Sequence, residues 1–184
     1  MEKNPERLLG FTWIDPNDQG AANEVRTAIL KWKFKGIKLH MQITPSPISK
    51  LREVFQEAEK LSVPIVIHLA EGFDFLNDLS REYSVNVIVA HLGTGVYNLD
   101  PKRLEKALAL SGNNENIYLE TSGNTFFFVE HAVKRLGPSK IIFGSDFPHE
   151  HPLVVARAID LLDLSSRDKD LILGRNISGL IGAH

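Results

Sequence analysis

The chain of 184 residues contains no cysteine. That absence removes disulfides, thiolate-bound zinc, iron–sulfur clusters and cysteine nucleophiles together. It also has no G-x-G-x-x-G and no G-x-x-x-x-G-K-[ST] stretch, which leaves a nucleotide-binding reading without its phosphate loop. No apolar run approaches the roughly 18 residues that span a bilayer, and the opening MEKNPERLLG is charged rather than apolar. Charge of either sign is not in excess: 21 Lys and Arg against 23 Asp and Glu give a formal net charge of −2. Nothing here suits a polyanion or an anionic membrane surface. The expectation is a soluble, cytoplasmic protein whose partner is a small molecule, with no nucleic acid and no membrane involved.

What is present is a repeated alternation. Six short apolar or β-branched runs recur: Gly10–Ile14, Gly36–His40, Pro64–Leu69, Val85–His91, Ile117–Thr121 and Lys140–Asp146. Runs of this length bounded by Gly, Pro or Asn predict buried strands. Between them lie segments of helical period. Val25, Ala28, Ile29 and Trp32 make one stripe; Ile48, Leu51, Val54, Phe55, Ala58 and Leu61 make a longer one, with Ser46 placed to cap it and Pro47 in its first turn. Further helices are predicted near 73–82, 100–110, 128–136, 152–162 and 166–173, with Phe126–Phe128 packing beneath the helix they precede. Six βα units require a mostly parallel sheet covered by helices. A complete (β/α)8 barrel takes about 250 residues, so 184 hold only about six of its eight units. The reading is one α/β domain over 1–184, barrel-like and incomplete.

In a parallel barrel the chemistry sits at the C-terminal strand ends. The third predicted strand ends in His68, the fourth in His91 and the sixth in Asp146, each opening onto a loop: HLAEG, HLGTG and SDFPH. Alternation puts His68 in line with Val66, and His91 with Val89. Neutral imidazoles and a carboxylate on one rim are a ligand set for a divalent ion, zinc first. His91 and Asp146 could also carry protons as catalytic groups. Lys38 and His40 share a face of the second strand and, with His149 beyond the last, are candidate substrate contacts. Glu120 belongs to the rim or stands behind it. Glu71, His131, His151 and His184 read as solvent-facing or structural.

The segments GIKLH (36–40), PIVIHLAEG (64–72), VIVAHLG (87–93), NIYLETSG (116–123) and IIFGSDFPH (141–149) resemble the amidohydrolase superfamily, in the branch called amidohydrolase-related or amidohydrolase-2. That resemblance implies a metal-dependent barrel hydrolase acting on a small organic amide, ester, lactone or acid, or a decarboxylase of the same superfamily. It implies His68 and Asp146 as metal ligands and His91 as ligand or acid/base. It also aligns Lys38 with a strand where some relatives carry a metal-bridging carboxylated lysine. The family's first strand carries a His-x-His pair, whereas the first histidine here is His40 and the lone His-x-His, at His149 and His151, follows the last strand. The six units therefore correspond to units three to eight. Two other functions compete: a non-catalytic barrel remnant that self-associates as a homo-oligomer, and a metal-free phosphate-binding barrel enzyme.

Overall fold

A computed structural model of the chain describes residues 4, 7–70, 72–96 and 98–183, so Glu71 and His184 lie outside the described residues. Six strands form one parallel sheet in the order β1-β2-β3-β4-β5-β6: Phe11–Trp13, Gly36–His40, Ile65–His68, Val87–Val89, Ile117–Glu120 and Ile141–Ile142. Each strand pairs with its sequence neighbour. Right-handed crossovers in unbroken order put every connecting helix on one side of the sheet, which is barrel geometry rather than a doubly wound sheet.

The alternation of residues then sorts the two faces. Ile37, Leu39, Ile65, Ile67, Val87, Val89, Ile117, Leu119 and Ile141 are fully buried beneath the helices. Each such aliphatic side chain contributes about 1.5–3 kcal/mol by leaving water. The opposite face carries Lys38, His40, Val66, His68, Ile88, Tyr118, Glu120 and Ile142, and it holds all the ionisable residues of the strands.

The covering helices are α1 (Ala21–Arg26, continued by a π-helical turn over Thr27–Lys31), α2 (Ile48–Leu61), α3 (Phe73–Glu82), α4 (Pro101–Asn113) and α5 (Phe126–Leu136). Three short helices close the chain: α6 (Pro152–Asp160), α7 (Ser166–Asp170) and α8 (Asn176–Ile181). Side-chain caps start several of them: Asp100 accepts from the Lys102 amide, Thr125 from Phe128, and Ser165 from Asp168. Buried Glu57 on α2 pairs with Arg26 of α1 and Lys60, each at 2.8 Å. Its carboxyl is held below the ordinary value, first by the Lys60 hydrogen bond. Asn116 fastens the start of β5, its amide donating to the carbonyls of Ser80, Tyr83 and Val85.

Four expectations change. Ser46 does not cap α2; its hydroxyl donates to the Thr44 carbonyl and accepts from Asn17, and the helix begins after Pro47. Phe126–Phe128 are not beneath α5 but are its first turn, with Phe127 exposed. β4 stops at Val89 because the chain turns at Ala90–Gly93. β6 shrinks to Ile141–Ile142, since the Phe143 amide bonds the Ile172 carbonyl and the Gly144 amide bonds the Thr121 hydroxyl instead of a strand.

Among the described residues β1 pairs only with β2 and β6 only with β5, leaving two strand edges, with Trp13 half exposed on the first. Unpaired edges template association. In light scattering the chain is expected to run above its monomer mass of 20.6 kDa, and Trp13→Lys, which charges the edge, is expected to shift it toward the monomer. A wild-type chain that is monomeric at tens of micromolar excludes this.

Candidate active site at the C-terminal rim

The strand register lines up a row of rings. His40 and His68 are direct partners across β2 and β3, so both point from the same face at the same height. Their rings stack at 4.1 Å with an interplanar angle of 13°. Trp13, at the end of β1, stacks on the other side of His40 at 5.7 Å. His91 continues the row but turns edge-on, 4.8 Å from His68 at 67°.

That turn has a backbone origin. His91 and Leu92 follow β4 with φ of 57° and 50°, in the left-handed region, as does Asp146 with φ of 51°. A non-glycine residue there costs about 1–2 kcal/mol, and such strain gathers at functional sites. At His91 the surroundings offset it. The His91 amide donates to Glu120 Oε2 at 3.1 Å, and the His91 carbonyl accepts from the Thr94 amide and hydroxyl at 2.9 and 2.8 Å.

Glu120, at the end of β5, organises the neighbourhood. Its carboxylate accepts from the Ser122 amide at 2.6 Å and the Ser122 hydroxyl at 2.8 Å, besides the His91 amide. Ser122 in turn faces His91, with Oγ 2.9 Å and its carbonyl 3.2 Å from Nδ1. Gly144 is needed here because a Cβ at that position would overlap the Glu120 carboxylate. On the far side Lys38 faces both Glu120 and Asp146. Burial pulls its ammonium below the usual value, while those two carboxylates act in the opposite direction.

Two of these imidazoles, His40 and His68, are held below their ordinary value. Burial first, then the neighbouring His40, His91, Lys38 and Arg103, bring His68 down to about 3. His40 is lowered by burial and then by Lys38, and its Nδ1 accepts from the Ile43 amide at 3.3 Å. A cavity of about 300 Å3 opens beside this row, lined by His68, Gln42, Thr94, Val96, Asn98 and Arg103 among others. Its size is at the small end of ligand pockets. Arg103 shapes its wall by donating to the carbonyls of Gly93 and Leu69 while lying over the Phe73 ring.

The structure thus brings Lys38, His40, His68, His91 and Glu120 to one rim, with Asp146 within electrostatic reach of Lys38 and His40. His149 stands on the exposed turn after Asp146, and His151 caps α6 by accepting from the Leu153 amide. His131 pairs with Glu105 at 2.7 Å, bridging α5 to α4. Ser122, Thr94 and Arg103 escaped the sequence reading. The ETSG segment contained the first of them, but a serine two residues after a strand-end glutamate has no signal of its own.

The donor types suit a divalent ion, since neutral imidazole and carboxylate are its ordinary ligands. Their grouping does not: among the described residues no three His, Asp or Glu side chains are placed to hold one ion. His68 lies flat against His40 instead of converging with it on a common point. These residues by themselves do not fit a resident metal, and no step below passes through one.

Comparison with known proteins follows the same line. The amidohydrolase-2 family model, described as Amidohydrolase, matches residues 1–180. No curated protein matches the sequence. Among solved structures, 2,6-dihydroxybenzoate decarboxylase from Rhizobium superposes with a TM-score of 0.73 at 20% identity, covering 98% of this chain and 73% of that one. A 5-carboxyvanillate decarboxylase from Novosphingobium aromaticivorans, complexed with manganese and 4-hydroxy-3-methoxy-5-nitrobenzoic acid, gives 0.76 at 17% identity, covering 98% and 66%. A Pseudomonas putida protein assigned as a 2-pyrone-4,6-dicarboxylic acid hydrolase gives 0.74 at 17%, covering 98% and 74%. The six-stranded sheet is therefore a partial barrel of this fold. The ion named in the relatives is manganese, and none of these names zinc.

The depressed His68 value has a consequence for stability. The unfolded chain takes a proton on this residue below the ordinary 6.5, while the folded one resists until about 3. Protons therefore favour the unfolded state across that window, and stability falls as pH falls from about 6.5 toward 3. Urea midpoints measured between pH 7 and 4 are expected to drop more steeply for the wild type than for His68→Gln. Parallel slopes would remove His68 as the cause.

Proposed function

The chain belongs to the amidohydrolase family, and from that premise we propose that its rim is an enzyme site for a small carboxylate-bearing substrate, which it hydrolyses. The observation that carries this reading is the meeting of a half-buried Lys38 with Glu120 and Asp146, next to neutral imidazoles and a cavity of about 300 Å3. A site that keeps one cation among carboxylates and lone pairs can hold an anion and still move protons.

In this reading Lys38 binds the substrate carboxylate, and His40 and His149 add contacts from the β2 end and from the turn after Asp146. His68 lines the cavity as a neutral imidazole. For an ester, lactone or amide, either Asp146 or His91 takes the proton of the attacking water as its oxygen bonds the carbonyl carbon. The group that took it returns that proton to the leaving oxygen or nitrogen as the bond to it breaks. In the relatives a divalent ion accompanies this fold. The proposed assignment of His68, His91 and Asp146 as ligands is not matched by a grouping of three such side chains among the described residues.

Decarboxylation is the second reading, favoured by the substrates named for the relatives, which are hydroxylated aromatic acids. There the same acid delivers a proton to the ring carbon as carbon dioxide departs. Two compounds separate the alternatives, each tested with added manganese or zinc: 2-pyrone-4,6-dicarboxylate, scored for ring opening, and 2,6-dihydroxybenzoate, scored for carbon dioxide. Turnover is expected of a lactone or aromatic acid of this class, with Asp146→Asn lowering kcat by about 10²–10⁴, the usual worth of a positioned acid or base. A folded chain that turns over no member of either class with either ion would sink the proposal.

A further inference from the structure

The contacts around His91 define which of its two nitrogens carries the proton. Nδ1 has two neighbours, Ser122 Oγ at 2.9 Å and the Ser122 carbonyl at 3.2 Å. A carbonyl oxygen can only accept. The hydroxyl could donate or accept, but its own hydrogen is directed at Glu120 Oε2, 2.8 Å away and the stronger acceptor. Both neighbours therefore present lone pairs to Nδ1, and an unprotonated Nδ1 would face them lone pair against lone pair. His91 and Ser122 are 5% and 2% exposed, so bulk water does not compete for either contact.

We infer that Ser122 and Glu120 form a positioning pair that holds neutral His91 in its Nδ1–H tautomer, leaving Nε2 as the proton acceptor. The catalytic meaning of that assignment rests on the reading of the rim given above; the tautomer itself does not. Free histidine prefers the opposite tautomer, Nε2–H, so the surroundings must reverse an intrinsic bias. One carboxylate does so through two routes. Glu120 Oε2 orients the Ser122 hydroxyl so that its oxygen accepts the hydrogen bond from Nδ1–H, and it also binds the His91 amide, fixing the left-handed backbone that aims the ring. Oε1 ties down the Ser122 amide, so the serine cannot swing away. Gly144 leaves the space this carboxylate occupies. A base oriented through a hydroxyl and an acid follows the same logic as imidazoles whose second nitrogen is held by a partner.

The test is a long-range 1H–15N correlation spectrum of 15N-histidine-labelled protein at pH 8, with His91 assigned by its loss in His91→Gln. The wild type is expected to show a protonated Nδ1 and a bare Nε2. Ser122→Ala is expected to lower the ratio of Nδ1–H to Nε2–H by about 3–10-fold, the worth of one hydrogen bond, and Ser122→Thr, which keeps the hydroxyl, to restore it. Glu120→Gln is expected to weaken the preference in the same direction. An Nε2–H tautomer in the wild type overturns the inference whether or not any variant folds, and so does an unchanged ratio in folded Ser122→Ala. A chain with the expected tautomer but no turnover would instead count against the proposed activity and leave this assignment standing.

Discussion

Level pairing of adjacent parallel strands is the constraint on which everything at the rim depends. Because β2 and β3 are in register from Ile37↔Ile65 to His40↔His68, the alternation that buries Ile37, Leu39, Ile65 and Ile67 under helices must project Lys38, His40 and His68 the other way. A slip of one residue would exchange the two sets, placing imidazoles in the aliphatic layer and isoleucines on the rim. The hydrophobic layer therefore sets the ring stack as well as the fold. The energy that enforces the stack comes from side chains that never touch it.

Where strands end, side-chain chemistry replaces pairing. β4 and β5 give out one after the other, and the chain that follows is held by the Glu120 carboxylate, the Thr94 hydroxyl and the Ser122 hydroxyl. Three donors gather on one carboxylate beside a lysine whose ammonium is itself short of water. Charges this close are tolerable because Lys38 stands between Glu120 and Asp146 and both Glu120 oxygens have hydrogen-bond donors. The price is backbone strain at His91, Leu92 and Asp146, set at the points where side chains must leave the sheet direction.

Much of this was legible in the residues. The six runs, the helical stripes and His68 at the end of β3 follow from periodicity, and GIKLH at 36–40 became a strand with those same bounds, whereas His91 and Asp146 lie beyond the ends of β4 and β6, where alternation does not place them. What was not legible depends on contacts distant in sequence. β6 is cut short by Ile172 and Thr121, and Ser46 is diverted from its cap by Thr44 and Asn17. Ser122 gains its role only because β5 lies beside β4, which brings it to His91 31 residues away. Likewise, a strand-end histidine is visible as a candidate ligand, but whether it converges with others or stacks flat on them is fixed by ring orientation. His40 and His68 stack.

The stack has an optical side as well. The chain has only two tryptophans, and one of them, Trp13, lies nearly parallel to His40 at 5.7 Å while Trp32 sits apart beside Phe34. An imidazolium quenches indole emission far better than a neutral imidazole at that distance. The rim therefore carries a built-in fluorophore, whose intensity reports on the charge of the ring next to it without any label, substrate or ion being added.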